Sequence, residues 1–305
     1  MNVLVIGGSG FIGSHVADAL SQSGYQVTIY DAKPSPYLRP DQKCIVGSTL
    51  DRDRVTGAIA GQDFVYNFAG IPHLDIGLKY PIETVEQNIL ATVITLEASR
   101  QAGVKRYVYA SSIYVYSESG GFYRCSKQAA ELYIDEYQSL YGLNYTILRY
   151  GTIYGPRADD HNSIRRYLTQ ALRERRVTLS GTGDEVREYI HVKDAARASV
   201  EILSDEYKND HILLTGHHPM RYRDLLIMIR EIVGRDIEIE INAPDQSDPK
   251  YSASGHFVIT PYSFRPKIAK KLVGHSYLDM GQGLLDCLES LYEEEMIAQA
   301  AEGTR

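Results

Sequence analysis

The sequence predicts an α/β fold organised on a doubly wound parallel sheet, and three observations predict it. A short, continuously apolar run opens the chain, a glycine-rich turn follows it at once, and strand-like and helix-like stretches then alternate at comparable lengths. The 305 residues are enough for two ordinary domains, or for one large α/β domain with an attached lobe. Apolar residues at 44% and charged residues at 23% exclude wholesale disorder. A formal net charge of -7 and a pI near 5.7 argue against a nucleic-acid partner, which needs clustered Lys and Arg for the phosphates.

The first element is Val3-Leu4-Val5-Ile6, an apolar run of the kind expected for a strand buried on both faces of a parallel sheet. Gly7-Gly8-Ser9-Gly10-Phe11-Ile12-Gly13 comes next, and Phe11, Ile12, Val16, Ala19 and Leu20 then recur at helical spacing. Gly8, Gly10 and Gly13 satisfy G-x-G-x-x-G, in which glycines allow a tight turn, close approach to a pyrophosphate and close helix–sheet packing. The phosphates are expected at the helix N-terminus, on free N–H groups and the positive end of the dipole. The second strand, 26–30, runs into Asp31, placed to bond the adenosine ribose hydroxyls and to repel a 2′-phosphate. This is a Rossmann start. It favours NAD over NADP, with Lys33 nearby pulling the other way.

Further strands read at 44–46, 64–68, 105–110 and 145–149, with helices near 85–102 and 127–141. Ligands of such sheets collect at the carboxyl ends of strands, where Asn67-Phe68-Ala69-Gly70 and Ala110-Ser111-Ser112 both fall. Tyr123 and Lys127, four apart, share one helix face. A phenol is a poor base at neutral pH, and a neighbouring ammonium favours its phenolate. Ser112 would bond the substrate oxygen from which Tyr123 takes a proton, while hydride passes to a nicotinamide. With 24 Tyr in the chain a Tyr-x-x-x-Lys spacing arises by chance, so it gains meaning from the Rossmann start and the Ser-Ser strand end before it.

Taken together these motifs resemble the extended short-chain dehydrogenase/reductases, specifically the NAD-dependent nucleotide-sugar epimerase/dehydratase family. The resemblance runs from Gly7 to at least Asp194. Its motifs include Gly7 to Gly13, Asp31, Asn67 to Gly70, Asn88, Tyr109 to Tyr116, Tyr123 with Lys127, Leu148 to Arg157, and Arg187 to Val192. It implies a Rossmann-type sheet that holds NAD, spanning 1–151 plus about 190–215. It also implies a smaller C-terminal α/β lobe, about 152–189 and 216–305, that binds a nucleoside-diphosphate sugar. The sugar would be oxidised transiently, commonly at C4. By position, Ser112, Tyr123 and Lys127 are the catalytic residues, with Lys127 also on the cofactor ribose. Gly7, Gly10, Phe11, Ile12, Gly13, Asp31, Ala69, Gly70 and Asn88 fall to the cofactor. Ser112, Tyr123, Thr152, Asn162, Arg187 and Arg265 fall to the substrate, Arg187 as a forked donor to the diphosphate. A homodimer is implied as well, paired through the helices near 88–102 and 127–141.

The chain departs from the family at positions that decide the reaction. Dehydratases carry an Asp-Glu pair directly after the catalytic hydroxyl residue, and here those positions are Ile113 and Tyr114. Simple 4,6-dehydration is thereby disfavoured. Only residues 117–122 separate Tyr116 from Tyr123, where the family has a longer loop, so a more open sugar pocket is expected. Thr152 stands where Asn is frequent, and Ser48 where an acid is common near the adenine. An epimerase needs little beyond the oxidising set and leads the readings. A keto-sugar reductase comes next, then a 4,6-dehydratase, and last a non-catalytic NAD-sensing protein.

Other segments read more plainly. Cys44, Cys125 and Cys287 are odd in number and far apart, indicating neither a disulfide framework nor a zinc site, and His217-His218 has no partner at ligand spacing. No metal is expected. No apolar run approaches the roughly 18 residues of a membrane helix, and nothing at the start reads as a signal peptide, so no membrane association and a cytoplasmic home are expected. Arg165, Arg166, Arg173, Arg175 and Arg176 read first as a solvated helix face, with contact to the diphosphate as the alternative. Most tyrosines, Tyr107, Tyr109, Tyr116 and Tyr189 among them, read as packing residues on strands.

Overall fold

A computed structural model describes residues 1–117, 120–243 and 268–302, without the side chains of 298–302. Strand β1 (Asn2–Ile6) shows why the sheet forms where it does. Val3 to Ile6 are fully buried, as their unbroken apolar run requires, and β1 lies parallel between β2 (Gln26–Asp31) and β4 (Phe64–Asn67). β3 (Lys43–Val46) extends one side. β5 (Arg106–Ser112), β6 (Tyr145–Tyr150), β10 (Asp210–Leu214) and β13 (Lys270–Lys271) extend the other. The eight-stranded order is β13-β10-β6-β5-β4-β1-β2-β3, with every pair parallel. The expected doubly wound Rossmann sheet is therefore present, its order reversing beside β1.

The chain divides into two units. The first holds 1–151, 195–214 and the described part of 261–273. The helices α1 (Phe11–Gln22), α2 (Arg52–Ile59), α3 (Leu74–Lys79), α4 (Pro81–Val85), α5 (Ala91–Gln101) and α6 (Gly121–Tyr141) belong to it. Where the sequence reads one regular helix near 85–102, the structure has α4 and α5 joined by a π-helical turn, Glu86–Leu90. Such a turn adds a residue to the coil and is frequent at functional sites. Here it carries Asn88, 1% exposed.

Part of the tyrosine excess goes into this core. Tyr30, Tyr66, Tyr107 and Tyr109 are among its largest fully buried side chains. Rings bury apolar area while the hydroxyls find partners: Tyr66 donates to Ser199 O at 2.7 Å, and Tyr107 meets Asn67 Nδ2 at 2.8 Å and Thr95 Oγ1 at 2.7 Å. Tyr116 departs from its expected place on a strand. It lies in a 3₁₀ turn, Ile113–Tyr116, because Ser112 ends β5 by capping that turn.

The second unit holds 152–194, the described part of 215–260, and 274–302. In it β7 (Thr152–Tyr154) runs parallel to β9 (Val186–His191), which pairs antiparallel with β11 (Pro219–Arg221). A separate pair joins β8 (Arg176–Ser180) and β12 (Glu238–Asn242). Helices α7 (Ser163–Glu174), α9 (Tyr222–Val233) and α10 (Met280–Glu302) bury Leu168, Leu225, Leu226 and Leu284 in one core with Tyr154 and Tyr167. The helix between the segments, α8 (Val192–Glu201), gives its first three residues to this unit and the rest to the other. The arginines of α7 are not simply solvated: Arg165 forks onto Glu294 and Arg173 bonds Glu295, both on α10. His191 is buried in β9, its Nε2 3.1 Å from Asp286 Oδ2.

Candidate active site

The turn after β1 is built by what its residues lack. Gly7 has φ +77°, and a Cβ there would stand 2.7 Å from Ala69 N, against the turn that leaves β4. A Cβ on Gly13 would stand 2.3 Å from Gly7 O, so α1 packs directly on the turn. Gly10 is different: as N-cap of α1 it has no side-chain cap, and a Cβ there meets nothing closer than Gly7 O at 3.4 Å. The first N–H groups of a helix lack intrahelical partners, and α1 has no acidic residue in its first turn to oppose an anion. Asp31, at the tip of β2, accepts from Ser9 N at 3.0 Å and Lys33 N at 3.2 Å, which fixes its carboxylate beside the same turn. Open space at Gly10, an uncapped helix start and a fixed carboxylate together fit a dinucleotide. At Ser48, where an acid was the comparison, the carbonyl accepts from Tyr30 and the hydroxyl from Leu50 N.

Asn88 is committed to protein atoms. Its Oδ1 accepts from Ile71 N at 2.7 Å, and its Nδ2 donates to Ile71 O at 3.1 Å and Ser126 Oγ at 2.9 Å. Ser126 in turn donates to Tyr123 O at 2.8 Å. The residue thus ties the turn after Gly70 to the first turns of α6.

The chain enters α6 through Gly120 and Gly121, both at positive φ (109° and 51°), a conformation that favours glycine. Tyr123 and Lys127 then face the end of β5. Ser112 accepts from Tyr114 N at 3.3 Å and hydrogen-bonds the Tyr123 hydroxyl. Lys127 Nζ donates to Ala110 O at 2.7 Å and lies 4.8 Å from the Tyr109 ring centre and 5.8 Å from that of Tyr123. Both side chains are buried. Burial pushes the Tyr123 phenol up to about 12 against the Ser112 hydrogen bond, and brings the Lys127 ammonium down to about 8 against the opposing pull of Glu131. The lowered phenol expected from a lysine neighbour alone is therefore not what this chain has by itself. Desolvation outweighs it.

Three residues around this set, Glu131, Arg149 and Tyr116, are given no part in the site by the motif reading. Glu131 accepts from Ser111 Oγ at 2.6 Å and forks onto Arg149 at 3.0 and 2.6 Å, and Arg149 also bonds the Tyr116 hydroxyl. Two signals were present: Glu131 continues the face of Tyr123 and Lys127 by one more turn, and Arg149 is a charge within an otherwise uncharged strand.

The model of the NAD dependent epimerase/dehydratase family matches residues 3–214. The chain belongs to this family. It is accordingly an NAD-dependent enzyme of the epimerase/dehydratase family. It is 28% identical over 254 residues to a putative UDP-glucose 4-epimerase of Methanocaldococcus jannaschii, covering 76% of this chain and 82% of that protein. It is 26% identical over 300 residues to a dTDP-glucose 4,6-dehydratase of Streptomyces niveus, covering 88% and 89%. In fold it is similar to the crystal structure of a UDP-glucose 4-epimerase of Thermotoga maritima, with TM-score 0.80, 24% identity, and 96% and 99% of the two chains covered.

Of the substrate residues that the family resemblance assigns, Ser112 and Tyr123 lie in the first unit, and Thr152, Asn162 and Arg187 in the second. Thr152 opens β7. Asn162 caps α7, accepting from Ile164 and Arg165 N, and donates to Ile153 O at 2.8 Å. Arg187, on β9, donates to Val186 O at 2.9 Å and lies 5.5 Å from the Tyr222 ring centre. Arg265 lies outside the described residues. Among the described residues no three or more His, Cys, Asp or Glu form a group that could hold a metal, and no helix is long and apolar enough to cross a membrane.

Proposed function

We propose that this enzyme epimerises a nucleoside-diphosphate sugar at C4 by transient oxidation. One observation carries the reading: Ser112, Tyr123 and Lys127 come together at the end of β5, while Ile113 and Tyr114 stand where the family resemblance puts the acid pair of a dehydratase. Bound NAD would take hydride from the sugar carbon and return it, bringing a positive ring that adds to the cation beside Tyr123. Gly10, Gly13 and Asp31 would hold the dinucleotide, and Lys127 its ribose. Tyr123 would take the proton of the sugar hydroxyl as the carbon is oxidised and give it back afterwards, with Ser112 bonding the same oxygen. Burial excludes water from the phenol, so the proton moves only along that hydrogen bond. Arg187 and Asn162 would contact the diphosphate, Asn162 keeping its cap on α7.

A UDP-sugar is the first substrate to try, because the epimerase relatives are named for one. Incubation with a panel of UDP-, dTDP-, GDP- and CDP-sugars, read by mass spectrometry and NMR, separates the readings. Epimerisation leaves mass unchanged, loss of water would replace it with dehydration, and gain of two hydrogens at the expense of NADH with reduction. Tyr123→Phe should keep dinucleotide binding and lower turnover by at least about a thousandfold. Turnover retained in that variant overturns the mechanism.

The reading includes a cytoplasmic homodimer. Its support is three free cysteines and an exposed apolar surface on the paired helices: Ile82 and Val85 beside α5, and Leu132, Tyr133, Leu140 and Tyr141 on α6. A monomer mass by light scattering at micromolar concentration would refute the dimer.

A further inference from the structure

Burying a carboxylate is costly unless it is paired and hydrogen-bonded, and even a good buried pair is weak evidence for stability. Glu131 is 5% exposed and Arg149 fully buried, so their position calls for a reason. Glu131 sits one helical turn beyond Lys127 and two beyond Tyr123. Its Oε1 receives Ser111 Oγ at 2.6 Å, the residue directly before Ser112. Arg149 pairs in register with that same Ser111 across β5 and β6. Its Nη1 holds the Tyr116 hydroxyl, at the far end of the turn that Ser112 caps. One carboxylate thus grips Ser112 from both sequence directions, directly through Ser111 and through Arg149 by way of Tyr116.

We propose that Glu131 is a positioning residue for this site: it fixes the strand end that presents Ser112, and it sets a carboxylate one helical turn from Lys127 beside Tyr123. The inference rests on the roles given above to Ser112, Tyr123 and Lys127. The groups facing Lys127 are Tyr123 and Glu131 from α6 and Tyr109 from β5. Behind Glu131 stand Arg149 from β6, Tyr116 from the 3₁₀ turn, and His211 from β10, whose Nε2 is 3.9 Å from the carboxylate. Asp75 and Lys79 lie on α3, Glu83 on α4, Glu86 on the π-turn, and Glu97 and Arg100 on α5, all packed against α6, but the charge acting on Lys127 is that of Glu131. It works against burial, which alone would strip the ammonium of its proton at still lower pH.

The test titrates Lys127 in the cofactor-free, full-length chain by NMR on carbon-labelled lysine, with Lys127→Arg identifying the resonance by its loss. The wild-type midpoint should lie near 8. Glu131→Gln should lower it by about one pH unit, and the alkaline limb of turnover should move down with it. A merely structural residue would lower stability and leave the midpoint where it was. Should Glu131→Gln fail to fold, Glu131→Asp withdraws the charge by one methylene and should lower the midpoint by a few tenths of a unit. An unmoved Lys127 midpoint in the variant that folds overturns the role of Glu131 and leaves the Tyr123 mechanism standing. Turnover retained in Tyr123→Phe does the reverse.

Discussion

The turn after β1 and the Ser112–Tyr123–Lys127 set both stand at carboxyl ends of strands of one sheet, yet they are built on opposite principles. The first works by absence: Gly7 and Gly13 leave out a Cβ where backbone meets backbone, at 2.7 and 2.3 Å. The second works by what it buries, a phenol raised to about 12 and an ammonium lowered to about 8. A site of shape is intolerant of any added atom but indifferent to pH. A site of buried polar groups tolerates changes of shape better than changes of charge, and carries a standing cost in stability.

The sharpest break on the shape side is Gly13→Ala. Its Cβ would meet Gly7 O at 2.3 Å and Gly8 Cα at 3.0 Å, all backbone, so nothing can rotate away. A loss of about 4 kcal/mol in folding free energy is expected by denaturant titration, at the upper end for single substitutions. Gly10→Ala is its counterpart, because there the nearest atom is 3.4 Å away. That variant should melt like the parent and yet bind NAD at least about 100-fold more weakly, or about 2.7 kcal/mol. Unchanged NAD affinity by calorimetry would mean that the turn does not cradle the cofactor.

On the charge side, Lys127→Met should abolish turnover and stabilise the fold. Burial holds Lys127 near 8 against an ordinary 10.5, so below pH 8 the folded chain carries the full cost of a desolvated ammonium. Between 8 and 10.5 the folded chain has shed that proton while the unfolded chain keeps it, and stability rises with pH. The methionine variant should therefore lead by up to about 3 kcal/mol at pH 7, and the lead should shrink as the pH nears 10.5. A lead that is the same at pH 7 and 10 in urea titrations would trace it to packing rather than charge.

Asn88→Ala tests the tie between the two regions. It removes three hydrogen bonds that join Ile71, beyond the cofactor turn, to Ser126 in α6. A cost of about 1–3 kcal/mol is expected, with weaker turnover and little change in the pH profile. A shifted alkaline limb would place Asn88 in the electrostatics of Lys127 instead.

The shape site was largely legible in the sequence and the charge site only in part, for a physical reason. A glycine turn is a local device, so Gly7 to Gly13 with Asp31 announce it within one strand–helix–strand. Tyr123, Lys127 and Ser112 were readable because two lie one turn apart and the third ends a strand. Glu131 and Arg149 left only a spacing and a lone charge as signals, and Tyr116 none, since their pairings run across α6, β6 and a 3₁₀ turn. The π-turn at Asn88 was likewise hidden, because the five residues of α4 before it are too few for a helical period against which an inserted residue would show. The strength of burial was also beyond the sequence. Tyr-x-x-x-Lys predicts a lowered phenol, and only the fold shows that desolvation raises it.

The smallest expected effect is at Tyr114, where the family resemblance places an acid in the dehydratases. Its ring stands edge-on to Tyr123 with centres 6.2 Å apart, and its N–H bonds Ser112 Oγ at 3.3 Å. Phenylalanine would keep the ring contact and the backbone bond, removing only the hydroxyl. That hydroxyl raises Tyr123 slightly, after burial, so its loss should ease the proton transfer if it does anything. Turnover of Tyr114→Phe is expected within about threefold of the parent. A fall of about 100-fold or more would make Tyr114 a proton-transfer group in its own right. The chemistry would then have moved from one phenol to two, and the case for simple epimerisation would rest on Ile113 alone.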